Sequence, residues 1–296
     1  MASEDIDNPQ QQCSQTLHRA RLLTHRGNIS GPGTAKENSI DALTTALALG
    51  YGIELDVRTG SDGDYYLSHD ALVDDHSSGA ERWYDFIRHL RDSKLVSSLT
   101  GGMAHDGLRR STPRIWVNIK DERIDMARLA ATISEELGTD AMSLFIFFDL
   151  ELVFGAYRAI HIGAALSTEV QLAWRMSDLP SEGIEHILGI ISARDTYNDW
   201  LWLDGMDDPA WWDKGHSSVS AWIAAAQSTF APWRVALVAP DLHGIALAES
   251  AASVASRTGG SWPDLICTDY AADAAIDVIA QAINVRAGLP VMPRLQ

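Results

Sequence analysis

Short apolar runs rich in β-formers alternate with amphipathic stretches along this chain, and no other feature constrains its fold as much. The runs are RLLTHRG (21–27), YGIELDVRT (51–59), RIWVNIK (114–120), SLFIFFDL (143–150), IGAALST (162–168), DWLWLDG (199–205), WRVALVAPDL (233–242) and LICTDY (265–270). Helical patterns such as SIDALTTALALG, DMARLAATISEEL, SSVSAWIAAAQSTF and AIDVIAQAINVRAG lie between them. Strands joined through helices need crossover connections and therefore a parallel sheet. Eight such strands predict closure into a TIM (β/α)8 barrel, which takes about 250 residues, and the chain has 296. The expected organisation is a disordered tail over 1–17 and a single barrel domain over 18–296. Residues 74–112 read as a polar, irregular excursion over one barrel face.

Charge narrows the partners. Against 23 Lys and Arg stand 40 Asp and Glu, a formal net charge of −17. Such a surface repels nucleic acid and anionic membranes, so neither is an expected partner. The tail MASEDIDNPQQQCSQ lacks the apolar run of a secretory signal, and no apolar stretch reaches spanning length, so a cytoplasmic protein is expected. Cys13 and Cys267 lie too far apart in sequence to suggest a disulfide framework. An anionic substrate would also be repelled at long range, so a phosphate site here needs a local positive centre.

Six of the eight runs carry a charged or amide residue near the C-terminal end: His25 and Arg26, Glu54 and Asp56, Asn118 and Lys120, Asp149, Asp204, and Asp269. A barrel strand buried on both faces should read as apolar, and barrel chemistry is built at that end. The agreement among strands predicts one shared polar pocket. Glu54 and Asp56 are two apart and point to one face. Like charges that close call for a cation between them, and hard oxygens suit Mg²⁺, Ca²⁺ or Mn²⁺. After a tight turn at SDGD, YYLSHD returns as a hairpin strand that brings His69 over the pocket holding His25. Two imidazoles flanking a carboxylate pair suit general acid–base work. Ser39 reads as a helix N-cap, and the loop GNISGPGT as glycine-rich so that the chain passes close to a ligand.

HRG followed by ENS, then ELDV with SDGDYYLSHD, resembles the signature of the glycerophosphodiester phosphodiesterase family. Sphingomyelinase D and phosphatidylinositol phospholipase C enzymes share its barrel. The close match covers 21–70, and a looser one runs on through NIK and ICTDY. The resemblance implies cleavage of a small phosphodiester, with His25 and His69 as acid and base, possible through a cyclic phosphate. It implies a divalent metal, Mg²⁺ or Ca²⁺, on Glu54 and Asp56. Arg26 and Lys120 match positions that hold the phosphate, and Glu37 matches an acidic residue near the metal. One position departs: the family's third metal ligand is normally acidic, and here it is Asn118, with Asp149 or Glu37 as substitutes. Two alternatives follow. One is a phospholipase of the sphingomyelinase D type, with Trp200, Trp202, Trp211 and Trp212 as candidate rim residues. The other is a non-catalytic binder of a phosphate-bearing ligand.

Overall fold

Strands whose side chains are apolar on both faces need packing partners on both. Here a closed barrel supplies one inside, and helices packed against its outer face supply the other among the described residues. The computed structural model describes residues 19–33, 35–72, 79–96, 113–166, 170–175, 200–204, 234–238 and 264–273. Its strands are β1 (Leu22–His25), β2 (Gly52–Thr59), β3 (Tyr65–Leu67), β4 (Glu81–Arg82) and β5 (Ile115–Ile119). They continue with β6 (Phe145–Phe148), β7 (Gln171–Arg175), β8 (Trp200–Leu203), β9 (Arg234–Val238) and β10 (Leu265–Thr268). The order β1-β10-β9-β8-β7-β6-β5-β2 closes through β1–β2, giving an eight-stranded parallel barrel. The hairpin expected off the second strand is present: β3 pairs antiparallel with β2, and β4 with β3.

Alternation along each strand divides the core in two. Leu23, Trp116, Ile146, Phe148, Trp202 and Cys267 belong to one buried cluster, the barrel interior. Their sequence neighbours Leu22, Ile115, Val117, Phe147, Leu203 and Ile266 pack outward with the helices. Trp200 and Trp202 are 3% exposed, and both rings lie against Trp116, with centroids 5.3 and 5.1 Å away. Two of the four rim candidates therefore pack inside the barrel, while Trp211 and Trp212 lie outside the described residues.

The helices are α1 (Ile40–Ala48), α2 (Trp83–Asp92), α3 (Met126–Leu137), α4 (Leu150–Phe154) and α5 (Ala156–Ala165). Ser39 caps α1 as expected, its hydroxyl accepting from the Ala42 amide at 3.2 Å. Two expectations fail. IGAALST (162–168) is not a strand: Ile162 to Ala165 complete α5, and the fifth barrel strand is QLAWR, at 171–175. Gly-Ala-Ala-Leu is equally compatible with a helix once AYRAIH precedes it. The excursion over 74–112 is not irregular throughout, because it contains β4 and α2. Trp83, Phe86, Ile87 and Leu90 of α2 are buried at helical spacing despite the charged residues between them. The tail (1–17) and the patterns at 217–230 and 275–288 lie outside the described residues. Among the described residues no helix is long and apolar enough to cross a membrane.

Candidate active site

Inward parity carries polar residues to the top of the barrel. In register, His25 of β1 lies beside Glu54 of β2, and Asp56 of β2 beside Asn118 of β5. Glu54, Asp56 and Asn118 are 2%, 1% and 5% exposed. Four residues of the predicted site thus meet on three adjacent strands, one layer above Leu23 and Trp116.

Asp56 is the electrostatic hub. Arg26 Nε lies 3.0 Å from its Oδ2, and Lys120 Nζ lies 3.3 Å from its Oδ1. Asn38 clamps it twice, donating from Nδ2 to Oδ2 at 3.0 Å and accepting from the Asp56 amide at 3.0 Å. Burial works against its charge, but Lys120 and Arg26 outweigh burial and hold the carboxyl below its ordinary value. Glu54 lacks such partners. Burial first, and the repulsion of Asp56 second, push it up to about 7.

Two residues shape this arrangement through backbone conformation. Arg26 (φ 53°) and Asn38 (φ 56°) adopt left-handed geometry, which non-glycine residues rarely enter. The turn directs the guanidinium back over β2 and the amide into Asp56. Gly27 (φ 84°) has no room for a side chain, since a Cβ there would meet Ala42 at 3.0 Å. A Cβ on Gly31 would meet the Tyr270 ring at 2.8 Å. These two glycines let the loop pack closely on α1 and Tyr270.

Glu37 stands beside Arg26 and Asn28. Arg26 Nη1 donates to one carboxylate oxygen at 3.0 Å, and Asn28 Nδ2 donates to the other at 3.0 Å. His69 follows β3 and is the most exposed member, with 44% of its side chain accessible and Nδ1 on Asp70 at 2.9 Å. Arg58 anchors that corner, donating to the backbone carbonyls of His69 at 2.7 Å and Lys120 at 3.1 Å.

Asp269, at the end of β10, is a site residue whose partner the sequence did not reveal. Its Oδ1 accepts from His25 Nδ1 at 2.9 Å and from Asn28 Nδ2 at 2.9 Å. Burial disfavours the imidazolium of His25, but Asp269 and Glu54 outweigh it and raise the pKa above 6.5. Asp269 engages Nδ1 and leaves Nε2 as the other ring nitrogen.

The donor set fits a hard cation. Glu54 Oε2 and Asn118 Oδ1 are buried without a hydrogen-bond partner, and Asn118 Nδ2 reaches Glu54 Oε1 only at a long 3.4 Å. Asp56 Oδ1 meets only the ammonium of Lys120. Among the described residues no three His, Cys, Asp or Glu side chains form a metal-holding group. Here the third oxygen belongs to an amide.

His, carboxylate, amide and Lys side chains thus converge at the C-terminal mouth of a parallel barrel. Residues 25–142 match the sequence model of the "Glycerophosphoryl diester phosphodiesterase family". That match spans 118 of the 296 residues and contains His25, Arg26, Glu37, Glu54, Asp56, His69, Asn118 and Lys120, while Asp149, Asp204 and Asp269 lie beyond it. No curated protein matches the chain. Solved structures with the same fold include a candidate glycerophosphodiester phosphodiesterase from Galdieria sulphuraria. It is 13% identical, with 88% of this chain and 97% of that one covered, at a TM-score of 0.58. A Glycerophosphoryl diester phosphodiesterase from Parabacteroides distasonis is 16% identical, covering 92% and 87%, with a TM-score of 0.52. A glycerophosphodiester phosphodiesterase from Agrobacterium tumefaciens is 17% identical, covering 88% and 99%, at 0.50.

Proposed function

We propose that this barrel hydrolyses glycerophosphodiesters or closely related small phosphodiesters with a divalent cation, Mg²⁺ or Ca²⁺, and a histidine pair. The observation that carries the reading is the three-strand cluster in which His25 flanks Glu54 and Asp56 flanks Asn118, leaving two buried oxygens without partners. Glu54, Asp56 and the Asn118 amide oxygen are the residues that would hold the cation. When bound, it would withdraw charge from the phosphoryl oxygens and relieve the buried carboxylates of their repulsion.

The protein groups divide the remaining work. Asp269 orients His25 and stabilises its imidazolium, so that Nε2 exchanges a proton at one side of the phosphorus. His69, held by Arg58 through its carbonyl, serves the other side. One histidine removes the proton of the nucleophile, and the other delivers a proton to the leaving alkoxide. The nucleophile is water, or a hydroxyl of the substrate that yields a cyclic phosphate first. Arg26 and Lys120 offset the charge of Asp56 and supply the local positive field that an anionic substrate needs against a net −17 chain.

A glycerophosphodiester assay after exhaustive chelation, with Mg²⁺, Ca²⁺ and Mn²⁺ restored singly, tests this function. Turnover returning only with a cation is the expected result, and full turnover in chelator removes the metal from the reading. A second reading, a barrel that binds a phosphate-bearing ligand without turning it over, draws on Asn118 alone. Ligand binding without hydrolysis under every cation would favour it.

A further inference from the structure

The opposite side of the mouth carries a second polar cluster that the acid–base chemistry leaves unused. Asp149 follows β6, Arg175 ends β7 and Asp204 follows β8; they are joined by ion pairs from one guanidinium to both aspartates. Glu151, in α4, accepts from the backbone amide of Arg175 through Oε1. Asp149 sits at φ 64°, another left-handed position at the mouth. Asp149 and Glu151 are 3% and 7% exposed, and each keeps one oxygen without a hydrogen-bond partner: Oδ1 of Asp149 and Oε2 of Glu151. Buried carboxyl oxygens are seldom left unmatched, because an unmet acceptor has lost its water without gaining a donor in exchange.

What would satisfy them is a donor carrying positive charge. Among the described residues two carboxylates meet one guanidinium here and a third carboxyl, Glu151, meets only a backbone amide, and burial together with Asp149 pushes Glu151 up to about 8. Arg175 already occupies the space between Asp149 and Asp204, which opposes a second metal ion. Lys120 connects the two halves: its charge acts on Asp56 on one side and on Asp149 on the other. A diester whose phosphate lies over β1, β2 and β5 has two alcohol arms, and one of them can extend across the mouth past Lys120.

We propose that the β6–β8 side of the mouth is the subsite for one alcohol arm of the substrate, and that Asp149 and Glu151 select an arm ending in a primary ammonium. The N–H groups of such an arm meet both free oxygens, and its charge offsets the acidic excess. A quaternary ammonium brings the charge without the donors, and an alkyl arm brings neither. This inference rests on the phosphodiesterase reading.

The test compares kcat/KM for glycerophosphoethanolamine, glycerophosphocholine and the glycerophosphate ester of 1-propanol, the neutral isostere of ethanolamine. Saturating Mg²⁺ and about 0.15 M salt screen the general attraction of an acidic chain for cations. Bis(4-nitrophenyl) phosphate reports the chemistry without either arm. The expected order is ethanolamine, choline, propanol, with the ethanolamine ester favoured over the propanol ester by about tenfold or more. Glu151→Gln and Asp149→Asn should each bring that ratio towards one. Equal use of the ethanolamine and propanol esters by the wild type overturns the subsite, and this comparison needs no variant to fold. A choline ester that equals or exceeds the ethanolamine ester also overturns it, as does a ratio retained in both variants. Failure to hydrolyse any diester, bis(4-nitrophenyl) phosphate included, overturns the parent function and the subsite together.

Discussion

The two halves of the barrel mouth handle buried acids differently. Over β1, β2 and β5, Asp56 meets Arg26 and Lys120, Asp269 meets His25, and Glu37 meets Arg26. Over β6 to β8, Arg175 is shared by Asp149 and Asp204, while Glu151 receives a backbone amide. The first half is nearly balanced, with a narrow deficit at Glu54 and Asn118 that suits a small, hard cation. The second is acidic among the described residues and leaves one oxygen each of Asp149 and Glu151 without a hydrogen-bond partner, which suits donors brought by a ligand. Under the proposed function the difference would separate reaction from recognition, although both halves lie at the C-terminal ends of the barrel strands.

The largest effect that would sharpen this comparison lies in the first half. His25→Ala and His69→Ala should each lower kcat by roughly 10²–10⁴-fold, the usual worth of a positioned acid or base. Steady-state kinetics on folded variants measures it, and near wild-type turnover in both would move the chemistry elsewhere. The metal deficit comes next. Asn118→Asp should tighten Mg²⁺ and Ca²⁺ binding by about 10–100-fold, because a third charge meets the cation at short range. Titration calorimetry at fixed pH and salt reads this directly, and unchanged affinity means that Asn118 does not face the ion.

Asp269→Asn should cost turnover at least about tenfold, as expected when an imidazole loses the carboxylate that orients it. It should also lower the pKa of His25, since Asp269 is the largest influence raising it. An NMR titration of the metal-free protein checks this shift, which a purely packing role would leave unmoved.

The smallest effect distinguishes the halves by stability. Glu54 and Glu151 are raised from 4.5 to about 7 and about 8. The folded state therefore binds protons that the unfolded chain has released. Their stabilisation is complete below about pH 4.5 and is lost as pH rises through 7 and 8. His25, also raised, acts in the same direction just above its ordinary value. Urea unfolding in chelator should show stability falling from about pH 5 to 8.5. Glu54→Gln and Glu151→Gln should each recover on the order of 2 kcal/mol at the alkaline end. Divalent cation should cancel the Glu54 share and leave the Glu151 share in place. Loss of both shares on adding metal would merge the two halves into one site.

Seven of the eight barrel strands were legible because β-rich runs with polar C-terminal ends recur between helical patterns, a local signal. The exception shows the limit of that signal: GAAL suits helix and strand equally, and α5 takes it because the preceding residues are already helical. That error also hid Arg175, which ends the strand the reading missed. The motif residues His25, Glu54, Asp56, His69 and Lys120 were readable by type and spacing. Their partners were not. Asp269 lies 244 positions from His25, and only closure of β10 onto β1 brings the two together. Glu37 was readable as an acid near the site, yet its carboxylate is spent on Arg26 and Asn28 because the left-handed turn at Arg26 swings the guanidinium onto it. The sequence by itself determined the alternating elements, the inward parity and the kinds of chemical group at the mouth, since these depend on neighbours two to four residues apart. Tertiary structure alone decided which charges are neutralised and which buried oxygens stay free, because ion pairing and desolvation depend on distances across strands that the chain order does not encode.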